Sequence, residues 1–249
     1  MDILTQVLSY EGLLLLCAAA FVAGVVRGFA GFGTGMVFIP IAALVADPIP
    51  VILMMLTFDF FGPLLLLPRA WRDGEPRDVG VLGMGAIIGL PLGVYLLTKL
   101  DPVFFRWLVS ILAICLLVLL ASGWRYRNPL NAVMTSLVGM VSGFLYGVAA
   151  LPGPPVILSY MSSPRRPEVI RGNTMMYLFL SDILAAIVFG VKGLLLLMPL
   201  VMGALLCIPY TIGGLVGQWI FNPDQDHIYR RVAYAIILLS AVAGLPVWD

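Results

Sequence analysis

Nearly the whole chain is a succession of apolar runs separated by short polar loops. The runs extend over Glu11 to Ala30, Gly35 to Val45, Pro50 to Leu67, Val79 to Thr98 and Val103 to Ser122, then Leu130 to Ala149, Pro154 to Ser162, Gly172 to Val191, Leu194 to Ile220 and Ile228 to Val247. Most are long enough to cross a hydrocarbon layer of about 30 Å as helices. The second and seventh are not: at about 1.5 Å per residue they reach roughly half way. Each is expected to be a half-helix or the return limb of a re-entrant hairpin. The pattern predicts an all-α polytopic membrane protein, one transmembrane domain over residues 1–249.

Composition agrees. Of 249 residues, 61% are hydrophobic and 11% charged, and mean hydropathy is +1.06. Leu108 to Ser122 carries no ionisable side chain except Cys115. A water-soluble domain needs several times that surface charge. A net charge of +1, without a basic stripe, gives no indication of nucleic-acid binding. Cys17, Cys115 and Cys207 are odd in number and each lies inside an apolar run. They read as small buried hydrophobes, not as a disulfide framework or metal site. The first run lacks a basic leader and a cleavage-like site, so it is expected to be retained as a helix.

The basic residues orient the chain. Arg69, Arg72 and Arg77 share one loop, Arg125 and Arg127 a second, Arg165, Arg166 and Arg171 a third, and Arg230 with Arg231 a fourth. Placing these loops on one side satisfies the alternation of runs and sends Lys99, Arg106 and Lys192 to the other. The positive-inside rule makes the crowded side cytoplasmic and both termini non-cytoplasmic, which fits a multi-pass protein of the cell (inner) membrane. Trp71, Trp107, Trp124, Trp219 and Trp248 fall at or just beyond predicted helix ends, as interfacial belts require.

The chain also repeats itself. Sliding Gly24 onto Gly143 superposes Gly28 on Gly147, Phe32 on Leu151 and Phe38 on Ile157, and past a loop insertion Asp59 falls opposite Asp182. Residues 11–122 and 130–247 read as two copies. An odd number of runs separates them, so the second enters from the opposite face, giving inverted-topology repeats, each with a Gly/Pro-broken helix or re-entrant hairpin.

The breaks carry the candidate chemistry. Gly24, Gly28, Gly31, Gly33 and Gly35 allow close backbone approach, and the last three permit a tight reversal. Pro152, Pro154 and Pro155 break the second copy and leave Gly153, Val156 and Ile157 as backbone donors. Unpaired backbone groups at membrane depth are tolerated only inside protein or beside a polar cavity. The alternative is helix packing plus a turn. Half-helices starting near Gly33 to Gly35 and near Pro154 would present positive helix ends to an anion at the centre of the protein. Arg27 adds a charge there or snorkels to the cytoplasmic interface. Arg106, near the outer end of its run, reads as a snorkelling residue.

Asp59 and Asp182 each lie about ten residues into a run. A carboxylate at such depth is expected to face a polar cavity, pair, or stay protonated. The two are candidates for proton coupling, against a purely structural hydrogen bond. Thr34, Ser159 and Tyr160, with Thr57, Asn173 and Thr174 as secondary polar candidates, could bind oxyanion oxygens. Each could equally be satisfied by a carbonyl of its own helix.

The GxxxGFxGFGxGxxFxP arrangement from Gly24 to Pro40 and GFLYGxxxLPGPPxxxxY from Gly143 to Tyr160 resemble the TauE/SafE family of sulfite and organosulfonate exporters. The likeness runs across nearly the whole chain. It implies a secondary permease for small sulfur-containing or related carboxylated anions, and it carries over to Gly28, Gly31, Gly33 and Pro40 and to Gly143, Gly147, Gly153 and Pro155. Ala150 and Pro152 replace glycines of the commoner second-copy pattern.

On this reading an anion is exported by alternating access, with a proton or the membrane potential as driving force; an anion channel is the alternative. No cofactor is expected. Nor is an enzyme, because His227, beside Asp226, is the only histidine and no nucleophile, base and metal set converges. The expected partners are a small anion, the lipid bilayer and protons.

Overall fold

The computed structural model describes residues 3–62, 64, 67–123, 131–160, 165–222 and 225–247. Trp124, Trp248, Arg125, Arg127, Leu130 and Ser162 lie outside the described residues. Among those described, all regular structure is helical. The helices are α1 (Ile3–Leu8), α2 (Leu13–Ala30), α3 (Thr34–Ala42), α4 (Pro48–Phe61), α5 (Leu67–Asp73), α6 (Pro76–Leu97), α7 (Pro102–Ala121), α8 (Ala132–Ala149), α9 (Gly153–Tyr160), α10 (Pro167–Val191), α11 (Leu197–Ile220) and α12 (Asp226–Ala243). Six of them, α2, α6, α7, α8, α10 and α11, are long and apolar enough to cross a membrane. At about 1.5 Å per residue the 22 residues of α6 reach about 33 Å, one full crossing.

The two short runs are the two short helices, α3 with 9 residues and α9 with 8. The first break is made by Gly31 and Gly33, with φ of 78° and 100°, which end α2 and begin α3. The second turns on Ala150, with φ of 53°, followed by Leu151 and Pro152 before α9. Proline occupies the start of α4, α6 and α10, where its missing N–H costs nothing. Asn131 accepts the N–H of Met134 at 2.8 Å and caps α8. Several elements differ from the apolar pattern: α4, with 14 residues, is too short for a full crossing, and α12 is not among the six qualifying helices. Residue Leu67, expected to close the third run, instead opens α5, and α1 precedes the first span.

The described chain divides into two compact units: Met1–Gly62 with Leu100–Leu117 and Leu195–Asp249, and Pro63–Lys99 with Val118–Leu194. Each unit draws on both halves of the sequence. In the first, α2 packs along α11; in the second, α6 packs along α8. Both contacts are built on glycine. A Cβ on Gly24 would overlap the carbonyl of Tyr210, and one on Gly89 would overlap that of Met140. Helices in lipid gain little from burying apolar surface against each other, so such backbone contact supplies the dispersion that holds them. Gly28, Gly143 and Gly147 take part in the same packing.

In the first unit Arg106 is buried, and its Nε donates to the carbonyl of Gly244 at 3.3 Å. The expected snorkelling residue therefore caps the C-terminal end of α12, where a cation meets the negative pole of the helix. His227 is exposed in the first turn of that helix.

Candidate functional site

In the first unit, three sequence-predicted residues come together with one that was not predicted. Arg27, in the last turn of α2, points its Nη1 to Asp59 of α4, 3.0 Å from Oδ1 and 3.2 Å from Oδ2. The same nitrogen lies 3.4 Å from Oγ1 of Thr34, the first residue of α3. Tyr210 of α11 closes the group: its hydroxyl donates to Asp59 Oδ1 at 2.6 Å and lies 3.2 Å from Thr34 Oγ1. Four helices thus converge on one ion pair. Arg27 is joined to this cluster through its contacts with Asp59 and Thr34.

The local backbone explains the convergence. Gly31 in the left-handed region ends α2 four residues after Arg27, its N–H donating to the Arg27 carbonyl at 2.8 Å. Gly33, also left-handed, returns the chain so that α3 starts beside the arginine. The first helical bond of α3 runs from Val37 N–H to Gly33 carbonyl at 3.1 Å, so the N–H groups of Thr34, Gly35 and Met36 begin the helix without a partner in it. The Asp59 side chain is 5% exposed and that of Arg27 is 16% exposed; the cation is the more accessible member of the pair.

In the second unit Asp182 of α10 accepts from the Tyr146 hydroxyl of α8 at 2.7 Å. Tyr146 stands one residue before Gly147 as Arg27 stands one residue before Gly28. The residue before Gly28 thus meets an aspartate through a guanidinium, and the residue before Gly147 meets one through a phenol.

Tyr160 and Asn173 belong to a further cluster of this unit. The Asn173 amide donates to Tyr160 Oη at 3.3 Å and accepts the Glu75 backbone N–H at 2.6 Å, and Tyr160 donates to Asp78 Oδ2 at 3.3 Å. Arg165 bridges Glu75 at 2.8 Å and Asp78 at 2.9 Å. This network ties the end of α9 to the starts of α6 and α10. Gly153 opens α9, and because Pro154 and Pro155 follow, it is the only one of the first three positions with a backbone N–H. Val156 is buried in the apolar core of the unit, and its carbonyl accepts from Ser159 Oγ at 2.7 Å. Ile157 is half-buried. Thr57 and Thr174 donate to carbonyls of their own helices, those of Leu53 and Ile170, both at 2.8 Å.

Sequence reasoning missed Tyr210 and Tyr146, and with them Glu75, Asp78 and Arg165 as a group. The available signal was a hydroxyl-bearing residue inside an otherwise apolar run: IPYTIGG for Tyr210 and FLYGVA for Tyr146. No group of three or more His, Cys, Asp or Glu residues able to hold a metal occurs among the described residues.

Residues 16–244 match the family described as Sulfite exporter TauE/SafE. The chain belongs to the TauE/SafE family. Neither a curated protein nor a solved structure gives a significant match. TauE/SafE membership together with six apolar helices makes this a multi-pass membrane transporter of the sulfite-exporter class, with a small anion and the bilayer as its partners.

Proposed function

We propose that this TauE/SafE protein exports small oxyanions, sulfite, organosulfonates or related carboxylated anions, from the cytoplasm by alternating access. One observation carries the reading: Arg27, the Thr34 hydroxyl and the opening N–H groups of α3 lie together at a glycine break inside an apolar domain. A guanidinium and a helix start are donors only, and the hydroxyl can donate beside them, the set that an oxyanion requires. The break in the second unit, at Gly153, Val156 and Ile157, with Ser159 and Tyr160 beyond, is proposed as the counterpart of the first break in a duplicated and inverted chain. Inside-negative potential favours the exit of net negative charge, worth about 2.3 kcal/mol per charge per 100 mV. No group chemistry on the substrate is needed.

The test is a proteoliposome panel with purified full-length protein, offering sulfite, methanesulfonate, thiosulfate and simple carboxylates. Saturable flux of at least one sulfur oxyanion, abolished in Arg27→Gln at equal protein, is the expected result. Flux that rises without saturation and carries channel-like currents indicates a pore, and no flux of any anion defeats the assignment.

A further inference from the structure

Arg27 presents a difficulty for an anion site, because its guanidinium already holds a carboxylate. Asp59 sits 3.0 Å from Nη1, at the distance a bound oxyanion would take. The groups facing Asp59 are Arg27 from α2 and Tyr210 from α11, with the Thr34 hydroxyl from α3 bridging these two. Of these only Arg27 is cationic.

We propose that Asp59 is a tethered competitor of the transported anion: substrate binds to Arg27 and Thr34 in place of the Asp59 carboxylate, and Asp59 takes up one proton as it is displaced. This rests on the exporter reading above.

Two physical arguments support exchange over simple addition. A second anion added to an intact Arg27–Asp59 pair would set two negative charges against one positive charge in a low-dielectric interior, which is strongly unfavourable. A displaced carboxylate left charged in that interior is also costly, and protonation removes the cost. Tyr210 gives the displaced group a place to stay. Its hydroxyl bonds Asp59 Oδ1 and contacts Thr34 Oγ1, so a protonated Asp59 keeps a hydrogen-bond partner when Arg27 turns to the substrate. The atoms balance without any further reactant: one anion and one proton enter together, and both leave when the ion pair re-forms. A monoanion thus crosses as a neutral unit down its own gradient, and the membrane potential acts only on the charge that the proton leaves on a dianion. With the site empty, the pair is neutral, so the unloaded protein can change its access without moving net charge through the membrane. Asp59 thereby sets the substrate class as well, because an anion must outcompete a carboxylate for a guanidinium and a hydroxyl.

The test uses full-length protein in detergent, with methanesulfonate and thiosulfate as probes because neither changes its charge between about pH 5 and pH 8. Wild-type affinity should rise as pH falls, by up to about tenfold per pH unit, the limit for one proton taken up per anion. Calorimetry in buffers of different ionisation enthalpy should register that proton. Asp59→Asn should bind more tightly at neutral pH and lose the pH dependence. Affinity independent of pH in the wild type, or no proton uptake, overturns the proposal without recourse to any variant. Equal affinity and an equal pH profile in folded Asp59→Asn overturn it too. If wild-type protein transports an anion of the panel while these results are negative, the competitor fails and the exporter stands. If it neither binds nor transports any of them, both fall.

Discussion

The hydroxyl of Tyr210 donates to Oδ1 of Asp59 at 2.6 Å, and the ring of Tyr210 packs on that of Phe58, centroid to centroid 4.7 Å. One side chain of α11 thus grips two successive residues of α4. Removing the oxygen alone separates these effects. Tyr210→Phe keeps the ring contact and loses a hydrogen bond to a charged acceptor, worth about 1.5–3 kcal/mol. Its thermal unfolding midpoint in detergent should fall relative to wild type; an unchanged midpoint would mean that the hydroxyl contributes nothing to stability.

The Arg27–Asp59 pair should behave as a unit. Arg27→Gln alone leaves a buried carboxylate uncompensated, at a cost of about 3–5 kcal/mol. The double variant Arg27→Gln with Asp59→Asn should recover most of that stability and remain inactive in flux, because the donor for substrate is gone. A double-mutant cycle on unfolding midpoints measures the coupling. Additive losses in the cycle would show that the two side chains stabilise the fold independently.

The two break glycines should respond differently to a single methyl. Gly33 has φ of 100°, where an alanine Cβ would also meet Val26 Cγ1 at 3.2 Å. Gly33→Ala is expected to lose about 1–2 kcal/mol from left-handed backbone strain. At Gly153 the nearest atom to an added Cβ is Ile157 Cδ1 at 3.9 Å, an ordinary contact. Gly153→Ala should therefore unfold at the wild-type midpoint. If the start of α9 touches substrate, the same methyl weakens anion binding by about 1–3 kcal/mol, and titration of folded Gly153→Ala with methanesulfonate reads it directly.

Helix α6 runs without interruption from Pro76 to Leu97, with Arg72 before it and Lys99 after it. Single cysteines at these two positions, in a background lacking Cys17, Cys115 and Cys207, should react with a membrane-impermeant thiol reagent from opposite faces of a sealed vesicle. Position 72 should be reached from the cytoplasmic side. Labelling of both from one face would defeat the proposed topology and the location of the termini.

Much of the architecture is written locally, and for that reason it can be read without coordinates. Apolar run length marks a crossing because backbone groups in lipid must bond within their own helix. Glycine and proline mark the breaks because their dihedral limits act on the residue itself, as at Gly31, Gly33 and Pro154. Arg27 and Asp59 stand out because a charge inside an apolar run is costly wherever the chain goes. That much the order of residues decides alone. Which groups meet is another matter. The partner of Asp59 on α11 lies far along the chain, and nothing in IPYTIGG says which way Tyr210 faces. Tyr160 and Asn173 carry the same polar groups as a substrate contact would, and only the structure shows that they also meet Asp78 and the backbone of Glu75. Thr57 and Thr174 turn back on their own helices. The pairing of α2 with α11 and of α6 with α8 is equally silent in the hydrophobic pattern. A membrane helix is apolar on all sides, so burial does not single out the face that meets a neighbour. Close glycine contact and complementary polar side chains decide it, and both exist only once sequence-distant helices have come together.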